Sequence, residues 1–143
     1  MTGTVVVGVD GSETARKAAE SAGNLATALS ASLLIVSAFS SDRGDVIGTG
    51  SDKWIVSDAD DAETAAKNVA AGLTSAGLKV TYSIARGKPA DVLIREAARV
   101  GASVIVVGNR RMRGLGRVLG SVANSVAHKA TCDVYIANTY DVD

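Results

Sequence analysis

Short runs of apolar, largely β-branched residues alternate along the chain with longer segments in which apolar residues recur every three or four positions. The runs at 4–9, 32–38, 79–85, 103–107 and 133–137 are too short for helices and predict strands, most of them buried on both faces. The longer segments between them predict helices. Strands that alternate with helices predict an α/β fold built on a doubly wound, five-stranded parallel sheet.

Local signals refine this outline. Ser12 predicts the N-cap of the first helix, Pro89 the first position of the third helix, and Gly101 the end of that helix. The second helix is expected at 60–76 and the fourth at 121–130. Residues 39–58 show no period and contain three glycines, which predicts a long loop of the kind that is usually functional or mobile in a compact domain.

The composition indicates one compact domain over residues 1–143. Hydrophobic residues make up 47% of the chain, charged residues 21%, and the formal net charge is zero. Neither a signal-peptide pattern nor an apolar run of the roughly 18–20 residues that span a bilayer is visible. We therefore expect a cytoplasmic protein without a membrane partner. The single cysteine, Cys132, excludes an intramolecular disulfide.

Charge is distributed unevenly around one segment. Between Gly108 and Ser121 the chain carries four arginines and no acidic residue, and Gly120 precedes the predicted fourth helix. Glycine leaves backbone N–H groups accessible, and a helix N-terminus favours anions. A local cationic loop suits a small anionic ligand such as a nucleotide better than it suits nucleic acid. The candidate phosphate ligands are Arg110, Arg111 and Arg113, although arginines in a loop also commonly form a solvated face.

Ligands of doubly wound sheets bind beyond the carboxyl ends of the strands, where the strand order reverses. If the first and fourth strands flank that point, Gly8 and Asp10 face Val107 and Gly108 across one crevice. Asp10 could bind a ribose hydroxyl or hold a metal ion through water, or it could only form a turn.

Gly108 and the Gly120-Ser121 pair could each bind the ligand or serve only the local fold. Gly108 would let ribose or phosphate approach the backbone, or it would only end a strand. Ser121 is predicted as the N-cap of the fourth helix, and the amides from Gly120 to Val122 would bind phosphate.

The sequence lacks the motifs of several enzyme classes. No Gly-x-x-x-x-Gly-Lys-Ser/Thr phosphate loop occurs, and no Gly-x-Gly-x-x-Gly follows the first strand. The third strand ends in Ile84-Ala85-Arg86, without the acidic residue of a receiver domain. The lone histidine, His128, has no obvious nucleophile beside it. The chain is therefore expected not to be an enzyme, or at most to be a weak ATPase.

In the order and spacing of its motifs, the chain resembles a universal stress protein over nearly its whole length. The segments that carry the resemblance are Val-Val-Gly8-Val-Asp10-Gly-Ser12, Val-Ser37-Ala38-Phe, Gly87-Lys-Pro89, Val-Val-Gly108-Asn, Gly120-Ser-Val-Ala-Asn-Ser-Val and Cys132-Asp-Val-Tyr. The resemblance implies a Rossmann-like domain with strand order 3-2-1-4-5 and a homodimer through the last strand, Asp133–Ala137.

The resemblance also implies residue roles, taken from the ATP-binding branch of the family and its pattern Gly-x2-Gly-x9-Gly-Ser/Thr. Gly108 matches the first glycine, and Gly120 with Ser121 matches the final pair. Asp10 matches the acidic residue that contacts the nucleotide. Val9 and Ala38 match the two residues that form the walls of the adenine pocket.

Two departures from that pattern leave the ligand open. Arg111 stands where the second glycine is expected, and the segment from Gly108 to Gly120 is one residue shorter than the motif. The candidate ligands are ATP (with Mg²⁺), AMP and cAMP, and the Val-Gly-Asn sequence at Gly108 resembles that of cAMP binders in the family.

The expected function is that of a homodimeric, adenine-nucleotide-binding regulator of stress physiology, which acts through a ligand-dependent conformation. The alternatives are a cAMP-binding family member, a slow ATPase, and a dimeric interaction module that binds no nucleotide.

Overall fold

The computed structural model of the chain describes residues 3–40, 45–47, 54–56, 59–75, 77–109 and 120–139. Within these residues the elements follow in the order β1 (Thr4–Gly8), α1 (Glu13–Leu29), β2 (Ser32–Phe39), β3 (Asp45–Ile47), β4 (Trp54–Val56), α2 (Ala59–Leu73), β5 (Val80–Arg86), α3 (Pro89–Val100), β6 (Val104–Gly108), α4 (Ser121–Lys129) and β7 (Asp133–Ala137).

Five of the strands form one sheet in the spatial order β5-β2-β1-β6-β7, and every neighbouring pair in it is parallel. Numbered along the chain among these five, the order is 3-2-1-4-5, so the predicted Rossmann-like topology is confirmed. β1 is central, whereas β5 and β7 form the two edges.

Alternate residues of the central strand face two different helix layers. Val5 and Val7 belong to a core cluster with residues of α1 and α2, and Val6 belongs to a second cluster with residues of α3 and α4. All three valines are fully buried. A strand that is covered on both faces in this way needs apolar side chains at consecutive positions. This explains the continuous apolar run at residues 4–9. The prediction of helices on both faces is confirmed.

Most predicted helix ends are confirmed. The Ser12 side chain accepts the N–H of Ala15 at 3.1 Å and caps α1. α3 begins at Pro89, and Gly101 closes it with a φ of +62°, a left-handed conformation that glycine adopts at little cost.

Two sequence-based predictions are corrected by the structure. α2 ends at Leu73 rather than at residue 76, because the chain then turns so that Ser75 pairs with Leu78. The segment 39–58, predicted as a loop, contains β3 and β4, which pair antiparallel with each other. Strands of three residues are too short to show a period. None of the helices in the described ranges is long and apolar enough to cross a membrane.

A buried carboxylate fastens α3 to the edge strand β5. Glu96 is only 8% exposed. Its Oε1 accepts the hydroxyl of Ser83 at 2.9 Å, and it accepts Nη2 and Nε of Arg99 at 2.8 Å and 3.1 Å. The hydrogen bond from Arg99 is the main reason that the pKa of Glu96 lies below its ordinary value, and it outweighs the opposite effect of burial.

We expect Glu96→Gln to destabilise the fold at pH 7 by about 1–2 kcal/mol, because the charge-assisted bonds to Arg99 are weakened. The pKa of Glu96 is lower in the folded than in the unfolded chain. Its contribution is therefore fully present above the ordinary carboxyl value of 4.5 and is lost as the pH falls through the folded pKa. Urea denaturation between pH 7 and pH 3 should show the stability gap between wild type and variant shrinking below about pH 4.5.

Glu63, one of three exposed carboxylates on α2, provides the control. Glu63→Gln should leave the stability nearly unchanged throughout this pH range. A gap for Glu96→Gln that stays constant from pH 7 to pH 3 would mean that the ion pair does not stabilise the fold.

Candidate functional site

The point where the strand order reverses lies between β1 and β6. The chain runs from β1 outward to β2 on one side, and it later returns from β5 to β6 on the other side of β1. Val7 is in register with Val106, so that Gly8 and Gly108 end neighbouring strands at the same edge of the sheet. The structure thus brings together the two chain segments that the sequence predicted to face each other.

Asp10 closes the turn from β1 into α1. Its Oδ1 accepts the backbone N–H of Ser12 at 3.0 Å, an arrangement typical of Asp at turns. The turn role considered for this residue is therefore present. Within the described ranges, the carboxylate of Asp10 makes this one hydrogen bond. The residue is half-buried. The fixed carboxylate retains acceptor capacity for a ribose hydroxyl.

The glycine at the end of β1 lies where the packing is tight. A Cβ on Gly8 would lie 3.1 Å and 3.2 Å from the two methyl carbons of Leu93 in α3. Leu93 is itself buried in the core. Gly8 therefore lets α3 approach the sheet closely. This role depends on a contact between distant segments, which no local sequence pattern shows.

Close packing also explains the glycine at the end of β6, Gly108. A Cβ there would lie 3.0 Å from Cγ2 of Thr139 and 3.5 Å from Cγ2 of Thr14. One face of this glycine is therefore covered by threonines from two other parts of the chain. The interpretations considered from the sequence were ligand access and a strand end, and neither included this contact.

The two predicted adenine walls do not share one face of the sheet. Val9 is 5% exposed and packs in the core cluster under α1 and α2. Ala38 is half-buried and packs against the cluster under α3 and α4. Gly8, the last residue of β1, pairs with Val36, and β2 continues past that level to Phe39. Ala38 therefore stands beyond the end of β1. A base bound here would lie across the strand ends.

The prediction that Ser121 is an N-cap is wrong. The N-cap of α4 is Gly120, with φ −63° and ψ 165°, and Ser121 is the first helical residue. The extended backbone of Gly120 already carries the first intrahelical bond, since its carbonyl accepts the N–H of Asn124 at 2.9 Å. The helix therefore begins one residue after the glycine rather than after the serine.

The N-terminus of α4 differs from that of α1. α1 has a side-chain cap and Glu13 in its first turn, whereas Gly120 provides no side-chain cap and the first turn of α4 contains no acidic residue. The first N–H groups of any helix have no partner inside the helix. Because α4 connects two parallel strands, its N-terminus lies at the edge where β6 ends. Such an end attracts an anion.

The remaining predicted site residues divide into two groups. Val107 is buried in the core under α3 and α4, so only its backbone could reach a ligand, whereas Val122 is partly buried against the same cluster. Arg110, Arg111 and Arg113 lie outside the described residues, and their roles stay predictions.

Asp10 is the residue at this edge that the sequence singled out as a possible metal ligand. Across the described ranges, His, Cys, Asp and Glu form no cluster of three or more that could hold a metal ion. Asp10 could hold Mg²⁺ only if water and phosphate oxygens supplied most of the octahedral ligands.

Comparison with known proteins places these observations in a family. The universal stress protein family matches residues 1–138 of the chain. The universal stress protein Rv1636 of Mycobacterium tuberculosis is 33% identical over 152 residues, which cover 95% of this chain and 96% of the relative.

Solved structures agree with the sequence matches. A universal stress protein crystallised in complex with cAMP is 30% identical, with a TM-score of 0.69 and coverage of 96% of this chain and 98% of that one. An Archaeoglobus fulgidus universal stress protein in complex with dAMP shares the fold with a TM-score of 0.68, at 24% identity and with coverage of 93% and 95%.

We expect Gly108→Ala to destabilise the protein by about 1–2 kcal/mol, because the new methyl group overpacks against Thr139. The double variant Gly108→Ala/Thr139→Ser lacks the obstructing methyl group and should recover part of that loss. Urea denaturation measures both effects.

A second glycine serves as the matched control. A Cβ on Gly72, exposed in α2, meets nothing within 4 Å. Gly72→Ala should therefore stabilise the protein by about 0.5–1 kcal/mol through helix propensity. If Gly108→Ala were as stable as wild type, the packing explanation for this glycine would fail.

Proposed function

This chain belongs to the universal stress protein family, and on that premise we propose that it binds an adenine nucleotide at the edge where β1 and β6 end. The resemblance noted from the sequence motifs is thereby confirmed at the level of the family. cAMP is the first candidate ligand, because a relative that is 30% identical over nearly the whole of both chains was crystallised with it.

The observation that carries this proposal is the N-terminus of α4, which has no side-chain cap from its N-cap residue and no acid in its first turn. In the proposed complex the phosphate accepts hydrogen bonds from amides between Gly120 and Val122. The ribose lies near Asp10 and Gly108. The adenine lies across the strand ends beside Val9 and Ala38.

The charge of the ligand favours a monophosphate. A helix N-terminus is equivalent to roughly half a positive charge, which suits the single negative charge of cAMP. ATP carries several more negative charges and would depend on further cations, supplied by Arg110, Arg111, Arg113 or Mg²⁺. We therefore rank cAMP and AMP above ATP.

Calorimetric titration and thermal unfolding with cAMP, AMP and ATP test the proposal. A ligand at about 100 times its Kd should stabilise the fold by about 2.7 kcal/mol. If none of the three releases heat or shifts the Tm, the nucleotide proposal is wrong.

Ser121→Pro tests the role of the amides. Proline at the first helical position removes one N–H donor without breaking the helix, and the extended Gly120 is compatible with a following proline. We expect the unfolding free energy to stay within about 0.5 kcal/mol of wild type, while cAMP affinity falls roughly tenfold.

Ser121→Ala is the matched control, since it keeps the amide and removes only the hydroxyl group. Its affinity should stay close to that of wild type. An equal loss in both variants would assign the contact to the hydroxyl rather than to the backbone.

We further propose that two chains pair through β7. This strand lies at an edge of the sheet, and its Tyr135 and Ile136 are 46% and 40% exposed. An unpaired edge with exposed apolar side chains favours pairing with another strand.

Tyr135→Glu should convert the dimer to a monomer, because it would bury a charge at the interface. Sedimentation velocity measures the change. Tyr82→Glu is the control, since Tyr82 is 37% exposed on β5 at the opposite edge, and this variant should remain dimeric. A monomeric wild type, or dissociation of both variants, would contradict pairing through β7.

The biological role that we propose is that of a regulator in stress physiology. We also propose that residues 1–143 form a single domain. Nucleotide occupancy would change a surface that other proteins bind, and fast catalysis is not part of the proposal. We propose the cytoplasm as its compartment, where adenine nucleotides are available to it.

A further inference from the structure

A buried polar side chain lies next to the proposed nucleotide site, directly after the end of β6. Asn109 follows Gly108 directly and is 6% exposed. Its Oδ1 accepts the backbone N–H of Thr139 at 2.8 Å and the hydroxyl of Thr139 at 3.1 Å. Its Nδ2 donates to Oδ1 of Asn138 at 3.2 Å. The carboxamide thus ties the end of β6 to the two residues that follow β7.

The chemistry of the partners fixes the orientation of this carboxamide. A backbone N–H can only donate, so the atom of Asn109 that faces the N–H of Thr139 must be the oxygen. The oxygen and the nitrogen are then both engaged by residues about 30 positions further along the chain. A buried amide is costly unless it is bonded in this way, and its bonds therefore select one rotamer.

This clamp bears directly on Gly108. It holds Thr139, which is 5% exposed and whose Cγ2 occupies the space beside the glycine. It also fixes the backbone where the chain leaves β6 and enters residues 110–119. The other end of that segment is fixed at Gly120, the N-cap of α4. Both ends of the arginine-bearing segment are thus set by the fold.

We infer that Asn109 is a positioning residue of the nucleotide site, which acts through Thr139 to hold the Gly108 backbone in the geometry that the ligand requires. This inference rests on the proposed function. Asn109 itself is occupied by Thr139 and Asn138, so it does not need to touch the ligand. An apolar side chain of the same size would fill the volume and would lose the clamp.

The experiment is a double-mutant cycle with cAMP as the probe, measured by calorimetry on the folded full chain. Asn109→Ala should weaken cAMP binding roughly tenfold. Thr139→Val keeps the shape and the backbone N–H but removes the hydroxyl donor, and it should weaken binding severalfold. Because both act through one clamp, the double variant should bind no more weakly than Asn109→Ala.

A structural signature and two further variants make the test specific. The Thr139 amide should lose hydrogen-exchange protection in Asn109→Ala, because its acceptor is gone. Asn109→Asp keeps the oxygen that Thr139 needs, so the Thr139 amide should stay protected from exchange in that variant. Leu78→Ala empties a core position beside the far edge strand. It should lower stability and leave the Kd for cAMP unchanged.

The outcomes separate this inference from the proposed function. Wild type that binds none of the three nucleotides overturns both. Wild type that binds cAMP, together with a folded Asn109→Ala of equal affinity, overturns the inference alone. Additive losses in the cycle also overturn it, since Asn109 would then act on the ligand independently of Thr139. If Asn109→Ala does not fold, Asn109→Leu decides, since leucine fills the volume and makes none of the three hydrogen bonds, and an unchanged affinity in that variant refutes the clamp.

Discussion

The central strand β1 is buried on both faces, and the rest of the structure follows from that constraint. Val5, Val6 and Val7 are fully buried, and their side chains alternate between two core clusters. Such a strand requires a neighbour on each side and a helix layer on each face. The chain meets this requirement by running outward from β1 in one direction and later returning to place β6 on the other side. The reversal leaves the ends of β1 and β6 side by side, which creates the candidate site.

The core and the site share residues at this edge. The glycines that end β1 and β6 allow Leu93 and Thr139 to approach the backbone closely. Gly8 and Gly108 therefore serve packing whether or not a nucleotide is bound. A loss of binding after substitution at either position has to be judged against the change in stability. The amides of α4 offer a cleaner test of function, since Ser121 is exposed and can be replaced without disturbing the core.

Electrostatics distinguishes α1 from α4, the helices that follow the two strands at the site, β1 and β6. α1 satisfies its own N-terminus with Ser12 and Glu13, so it has little to offer an anion. α4 begins at a glycine and has no acid in its first turn. A universal stress protein that is 30% identical to this chain was crystallised with cAMP, which is an anion. The preference of the α4 N-terminus for an anion is the physical basis of the proposal that this chain binds a nucleotide there.

The sequence by itself determined the α/β class, the five parallel strands, the start of α1 and both ends of α3, because strand and helix periodicity and capping residues are local properties. It also carried the family motifs that identify the strand order. Local patterns failed where a boundary depended on backbone geometry, as at Gly120, or where strands were too short to show a period, as in β3 and β4. Only the tertiary structure decided the contacts of Gly108 and Asn109 with Thr139, and the opposite faces taken by Val9 and Ala38. These depend on strand register and on how distant segments meet, which no local pattern encodes.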